Sequence, residues 1–331
     1  MHDLSDGRIL VTGGAGFIGS ALIWELNRRG LSNILVADHL RTTEKWKNLV
    51  PLRYDDYLEA SALESLVDQR SSLLDDVRTV FHLGACSATT ETDAAYLIHN
   101  NYEYTKKLAA WCLEREARFV YASSAATYGE LEEGLNETRP LESLRPLNMY
   151  GYSKHMFDCY AQKHGFLDKI AGLKFFNVYG PNEDHKDDMR SVVHKAYHQI
   201  LDTGSVSLFK SYRPEFADGC QRRDFLYVKD AVRMTIFLAQ NADIGGLYNL
   251  GTGSSRTWLD LATAIFAALG REPSINFIDM PERLKGKYQY FTQAEIGKLR
   301  AAGYRDDVTS VEDAVKDYVV NYLETGSKLE P

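Results

Sequence analysis

The segment Val11-Thr12-Gly13-Gly14-Ala15-Gly16-Phe17-Ile18-Gly19 constrains the fold of this chain more than any other. It carries Gly13-x-x-Gly16-x-x-Gly19 and the overlapping Gly14-x-Gly16-x-x-Gly19. An apolar run, Arg8–Thr12, precedes it. Phe17–Arg29 follows, with Phe17, Ala21, Leu22, Trp24 and Leu26 at helical spacing. A glycine turn between strand and helix lets backbone approach a pyrophosphate, and the helix start offers unbonded N–H groups and a positive dipole end to that anion. The pattern in this context predicts a dinucleotide-binding unit rather than a structural turn. Asp38 closes the next apolar run, Ile34–Asp38, where an acid meets the adenosine ribose hydroxyls. Arg41 and Lys45 follow closely, either as cations for a 2′-phosphate or as solvated loop residues. The residues alone therefore leave NAD and NADP open.

Further short apolar runs, Thr79–Leu83 and Phe119–Ala122, flank a long helical stretch, Asp93–Arg115. This alternation predicts an α/β fold: a Rossmann-type doubly wound parallel sheet with helices on both faces. Strands covered on both sides read as continuous apolar runs. A helix spans Tyr150 to about Lys163, and Leu173–Phe176 reads as a strand. After Gly180-Pro181 the pattern loosens. Arg190–Leu201 reads as helix, Ser205–Phe209 as strand, Lys210–Arg223 as a polar loop and Asp224–Val228 as strand. Ala231–Ala239 reads as helix and Leu247–Leu250 as strand, with helices near Trp258–Leu269, Gln293–Ala302 and Val311–Leu323. A length of 331 residues fits two lobes. The expected division is interleaved. Residues 1–176 plus about 224–256 form an NAD(P)-binding Rossmann domain, and about 177–223 plus 257–331 form a smaller α/β substrate-binding domain.

The charge balance, 38 Lys+Arg against 46 Asp+Glu, argues against a nucleic-acid partner, since a phosphate backbone calls for surplus cations. No apolar run approaches the roughly 18–20 residues of a membrane span. The polar Met1–Arg8 does not read as a signal peptide, so the expectation is a soluble, cytoplasmic protein. Cys86, Cys112, Cys159 and Cys220 lack metal-ligand spacing and read as free thiols. His194 and His198, four apart on a helix, have no evident third ligand. They read as a surface or interface pair, and no metal centre is expected.

Tyr150-Gly-Tyr-Ser-Lys154 places a phenol and an ammonium on one helix face. A nearby ammonium favours phenolate, so the Tyr150 pKa is expected below its usual value of about 10. That would make Tyr150 a general base or acid for an alcohol/ketone pair. Upstream, Ser124 follows a strand end, where a hydroxyl can polarise a substrate oxygen.

Together, Gly13-x-x-Gly16-x-x-Gly19, Ser124, Tyr150-x-x-x-Lys154 and Asn177-Val-Tyr-Gly180-Pro181 resemble the extended short-chain dehydrogenase/reductase family, whose members act on nucleotide sugars. Further stretches are similar to the ADP-L-glycero-D-manno-heptose 6-epimerase subfamily of lipopolysaccharide core-sugar supply. They are His82-Leu-Gly-Ala-Cys86-Ser87-Ala-Thr89-Thr90-Glu91, Asn100-Asn101-Tyr102, Phe175 through His185-Lys186, Arg223-Asp224-Phe225, Asn249-Leu-Gly251-Thr-Gly253 and Leu284-Lys285-Gly-Lys-Tyr288-Gln289.

The resemblance implies epimerisation of an ADP-heptose by transient oxidation at carbon 6, with a tightly held NADP, or NAD, as cofactor. It implies Tyr150 and Lys186 as two acid/base groups, with Lys186 as a phosphate or ribose contact the alternative. Ser124 is then the polarising hydroxyl, and Lys154 is both catalytic and cofactor-binding. By the same resemblance Gly13, Gly16, Phe17, Ile18, Gly19, Asp38, His39, Lys45, Leu83, Gly84, Ala85, Cys86, Ser87, Asn100, Val178 and Lys186 touch cofactor. Ser124, Asn177, Asp188, Lys195, Phe209, Lys210, Ser211, Tyr212, Arg223 and Tyr288 fall on the substrate side. A homo-oligomer is implied, a pentamer by resemblance. Two features depart from the family pattern: Arg213–Gln221 is longer, and Asp188 is an acid where a small neutral residue is usual.

The alternative readings are a UDP-hexose 4-epimerase and, in another class, a non-catalytic nucleotide-binding sensor. The His185-Lys186 pair separates the first, and the Tyr-x-x-x-Lys pair separates the second. A dehydratase is disfavoured because Ala125-Ala126, not an acid pair, follows Ser124.

Overall fold

The computed structural model describes residues 2–282 and 288–331. Strands β1 (Arg8–Thr12), β2 (Ile34–Asp38), β3 (Asp56–Glu59), β4 (Val77–His82), β5 (Arg118–Ser124) and β6 (Ala171–Phe175) join the edge strand Gly246–Leu250 in one seven-stranded sheet. Every pairing in it is parallel, and the spatial order is edge strand, β6, β5, β4, β1, β2, β3. The chain winds outward from β1 to β3, then crosses back to β4. The two halves thus part between β1 and β4, and a crevice opens beyond the carboxyl ends of strands at such a point. This is the doubly wound Rossmann-type sheet anticipated from sequence.

Helix α1 (Phe17–Arg28) packs with α7 (Val228–Gln240) on one side of the sheet, as Leu22, Ile23, Val232 and Ile236 are fully buried in one core. A second core gathers Val80, Leu108, Phe119 and Phe157, from β4, α4 (Tyr104–Glu114), β5 and α5 (Met149–Lys163). The sequence reading lacks β3 and the helix after it, α2 (Ala60–Asp68). β3 is an edge strand whose ends are exposed and acidic, so it shows no apolar run. The predicted helix Asp93–Arg115 is also not uniform. It consists of α3 (Ala94–Leu97), a π-helical turn over Ile98–Glu103, and α4. Such turns commonly mark functional sites.

The remaining segments form short strand pairs and helices whose buried residues join the core of α1 and α7. Val206–Phe209 pairs with Ile275–Ile278, and Phe225–Tyr227 pairs with Asn177–Tyr179. Helices α6 (Val192–Thr203), α8 (Trp258–Ala268) and Val311–Tyr318 pack around them. The predicted Gln293–Ala302 helix is confined to Gly297–Ala301. Among the described residues, no helix is long and apolar enough to cross a membrane.

Among the charged residues buried in the sheet strands, Lys174 is the least exposed. Lys174 of β6 is 1% exposed, with Nζ 2.9 Å from Asp158 Oδ2 and 2.5 Å from Thr127 Oγ1. Asp158 also accepts the hydroxyls of Tyr121 and Ser123, each at 2.8 Å. Deleting one partner of a buried pair strands the other charge. Lys174→Met is therefore expected to cost about 3–5 kcal/mol in chemical denaturation. A loss under about 1 kcal/mol would show that the hydroxyls alone hold Asp158.

Candidate active site

A cavity of about 540 Å³ opens where β1 and β4 part. Its floor is the glycine loop. Gly13 has φ +68°, and a Cβ there would lie 2.6 Å from Gly84 N. A Cβ on Gly19 would lie 2.1 Å from Gly13 O. Gly16 caps α1 without a side-chain hydrogen bond, so the first N–H groups of that helix stay available at the cavity wall formed by Phe17, Ile18 and Gly19.

Asp38 does more here than await a ribose. Its carboxylate accepts the N–H groups of Ala15 (2.9 Å) and His39 (2.6 Å) and the Lys45 ammonium (2.6 Å). It ties the glycine loop to β2. His39 Nδ1 pairs with Glu59 Oε1 at 2.7 Å, and Arg41 donates to the Tyr96 hydroxyl at 2.9 Å. All the cofactor residues anticipated from sequence line this cavity except Lys154 and Val178. Val178 instead pairs with Leu226 in the short sheet. The cavity also takes in His185, which the sequence reading left open, and Tyr96, His99 and Met189, which it did not assign there. Tyr96 lies one helical turn before Asn100, whose side chain bonds its carbonyl at 2.8 Å, so helical spacing carried that signal.

Beside the cavity stand Ser124, Tyr150 and Lys154. Asn148 caps α5 by accepting Gly151 N–H at 2.8 Å, which sets Tyr150 in its first turn. A Cβ on Gly151 would lie 2.8 Å from Ala126 O, so glycine lets this turn approach the Ser124 loop. Ser124 is the neighbour whose hydroxyl favours the Tyr150 phenolate. The expected lowering of the phenol is not found. Burial raises the Tyr150 pKa above its usual value, and only the Ser124 hydroxyl pulls it down. Desolvation of the phenolate here outweighs any influence of the ammonium one turn away.

Lys154 is 5% exposed, and burial lowers its pKa to about 8, with Asp158 opposing. The neighbouring His82 is pushed down to about 3 by burial and then by Lys154, so it is neutral. It bridges Thr12 Oγ1 (2.7 Å) and Thr105 Oγ1 (2.9 Å). The lowered Lys154 pKa is a stability statement. Below pH 8 the fold carries the cost of a buried ammonium. Between pH 8 and the usual lysine range the unfolded chain binds more protons, so stability rises with pH. Lys154→Met is expected to be more stable than the parent at pH 7, by roughly 3 kcal/mol, with the gap closing towards pH 10. Denaturation of both proteins at the two pH values checks this, and a gap that does not narrow rejects the assignment.

Asn101, in the π-helical turn, is a further residue the sequence reading did not single out for a role. It is fully buried. It accepts Cys86 N–H (2.8 Å) and donates to Cys86 O (2.9 Å) and Ser153 Oγ (3.0 Å). Ser153 in turn donates to the Tyr150 carbonyl at 2.7 Å, so Asn101 couples the cavity wall to α5.

Lys186 comes from a separate segment, Asp184–Met189, two short 3-10 turns broken by a kink at Asp187. Its ammonium lies 5.0 Å over the Phe17 ring at the cavity. Burial draws its pKa below the usual lysine value; Lys195 adds to this and Glu183 opposes it. His185 is pushed down to about 4 by burial and by Lys45 and Lys186.

The anticipated substrate residues fall elsewhere, apart from Ser124. Arg223 is 8% exposed, with its guanidinium 5.1 Å from the Tyr288 ring and 5.7 Å from the Trp258 ring. Trp258 Nε1 donates to the Tyr288 hydroxyl at 2.8 Å, and Phe209 meets Tyr288 edge-on at 6.3 Å. Phe209, Arg223 and Tyr288 thus form one cluster that does not line the main cavity. Lys210 pairs with Asp279, Ser211 N–H bonds Asp218, and Tyr212 N–H bonds Tyr290. The long loop after them is latched by Arg213 to Glu132 at 2.8 Å. Asn177 is exposed at its strand start. Lys195 bonds the Asp188 backbone carbonyl at 3.0 Å, and both residues are exposed. His194 is buried rather than on the surface, with Nε2 3.2 Å from Asp184 Oδ1. Leu284, Lys285, Gly286 and Lys287 of the resembling stretch lie outside the described residues.

Comparison with known proteins shows the family. Residues 9–251 match the model of the NAD dependent epimerase/dehydratase family. The chain is 55% identical over 315 residues, 95% of its length and 97% of the relative's, to the ADP-L-glycero-D-manno-heptose-6-epimerase of Nitratidesulfovibrio vulgaris strain Hildenborough. It is 48% identical over 95% of its length to the Fusobacterium nucleatum protein of the same name, covering 98% of that relative. The crystal structure of the Helicobacter pylori protein of that name superposes with a TM-score of 0.81 at 28% identity, over 97% of this chain and 98% of that one.

Proposed function

This chain belongs to the NAD dependent epimerase/dehydratase family, and within it we propose that the protein interconverts ADP-D-glycero-D-manno-heptose and ADP-L-glycero-D-manno-heptose. The name shared by its relatives sets the sugar. The observation that carries the chemistry is Lys186 at the cavity, a second proton-transfer group supplied by a segment separate from the Ser124–Tyr150 pair. Inverting an unactivated secondary alcohol requires transient loss of its carbon-bound hydrogen. The resulting ketone turns over before that hydrogen returns. Each orientation needs its own proton donor or acceptor.

The residues fit a nicotinamide dinucleotide. The glycine floor has no room for a Cβ, and the start of α1 offers N–H groups without a side-chain cap. When bound, that cofactor supplies reversible hydride acceptance at carbon 6. The α1 N–H groups would hold its pyrophosphate, and Lys154 would bond its nicotinamide ribose. Ser124 donates to the substrate oxygen and Tyr150 takes the hydroxyl proton. Lys186 serves the oxygen in the opposite orientation. NADP rather than NAD is favoured by Lys45, Arg41 and His39 around an Asp38 whose carboxylate is already engaged. We further propose a cytoplasmic homo-oligomer, a pentamer by resemblance, which analytical ultracentrifugation checks.

Incubation with ADP-D-glycero-D-manno-heptose, with the epimers resolved by chromatography, tests the reaction. No conversion by cofactor-loaded protein would sink it, and turnover of a UDP-hexose instead would move the assignment to a 4-epimerase. Gly19→Ala is expected to weaken dinucleotide binding by about tenfold or more, because the added methyl collides with Gly13 O. Parent-like cofactor content after purification would count against the pyrophosphate floor.

A further inference from the structure

The chain from Gly180 to Ser191 brings Lys186 to the cavity, and a wholly buried carboxylate closes it. Glu183 is 0% exposed and takes no part in the chemistry above. Its Oε1 accepts Ser191 Oγ–H at 2.6 Å and the Tyr318 hydroxyl at 3.0 Å. Its Oε2 accepts Ser191 N–H at 2.5 Å, and Gly180 N–H stands 3.5 Å from Oε1. One side chain thus draws both ends of the loop together and fastens them to the helix Val311–Tyr318. The Lys186 N–H bonds the Glu183 carbonyl at 3.0 Å. Next to Lys186, Asp187 has φ 46° and ψ −122°. A non-glycine residue persists in so sparsely populated a region only where its surroundings over-determine it. The charged groups that act on Lys186 are Glu183 from its own loop, favouring the ammonium, and Lys195 from α6, opposing it.

We propose that Glu183 is the positioning residue of Lys186: its carboxylate closes the loop and sets a negative charge against which the ammonium is held at the cavity. This rests on the reading of Lys186 as the second acid/base, and the experiment separates the two. Glu183→Gln, Lys186→Met and the double variant are compared as cofactor-loaded protein with ADP-D-glycero-D-manno-heptose. Glu183→Gln is expected to lower kcat about tenfold. KM and bound cofactor should stay within about twofold, and the basic limb of the pH profile should move to lower pH, since the ammonium loses its counter-charge. In the Lys186→Met background the same change is expected to cost under about twofold, as for residues that act through one another. An equal loss in both backgrounds, or parent-like Glu183→Gln activity, overturns the proposal. Parent-like Lys186→Met activity is read from that single variant, defeats the acid/base reading itself, and takes the positioning role with it. Should Glu183→Gln fail to fold, Tyr318→Phe removes one donor to the carboxylate. It should lower kcat about threefold only when Lys186 is present, and no change there also overturns the proposal.

Discussion

Tyr150→Phe is expected to lower epimer interconversion by about 10²–10⁴-fold while the protein still carries its dinucleotide. The variant keeps the ring and removes only the phenol hydroxyl, on which Ser124 acts. Tyr150 does not line the cavity that holds the glycine loop, so cofactor absorbance should match the parent. In the protein alone, burial holds the phenol above its usual pKa, which favours its acid form at neutral pH. The base role then needs positive charge at the reacting centre, and the buried Lys154 is the nearest provider in α5. Turnover within about threefold of the parent would remove Tyr150 from the mechanism.

Lys186→Met is expected to lower kcat by about 10²-fold or more. Methionine keeps an unbranched apolar side chain against Phe17 and deletes only the ammonium 5.0 Å above that ring. The form of the loss matters as much as its size. An acid/base acts in the transition state, so kcat and kcat/KM should fall together. A phosphate or ribose contact would raise KM and leave kcat unchanged. Steady-state kinetics on loaded protein decides between them. Near-normal kcat would overturn the two-base scheme.

Much of the cofactor side was legible because it depends on local chain geometry. A glycine at φ +68°, a strand leading into a helix, and two residues four apart on one face are properties of neighbours in sequence. The family resemblance then carried Leu83 to Ser87 and Asn100 to the same cavity wall. Less could be read where environment decides. β3 carries acids at an exposed sheet edge and leaves no apolar signature. Lys174 disguises itself inside an otherwise apolar strand, because its partner Asp158 lies on a helix.

The sequence by itself therefore determined the glycine loop and the sheet apart from its edge strand β3, and put forward Ser124, Tyr150 and Lys154, with Lys186 through the family resemblance, as reactive candidates. The tertiary structure decided how those groups are charged and held. Tyr150 shifts upward, not downward, because desolvation depends on everything packed around the phenol and not on the lysine one turn away. Asp38 braces the glycine loop because Ala15 and Lys45 converge on it from both sides. Glu183 meets Tyr318 across 135 residues of chain. Spacing along a chain fixes conformation and facing; burial and field are sums over residues that only folding brings together.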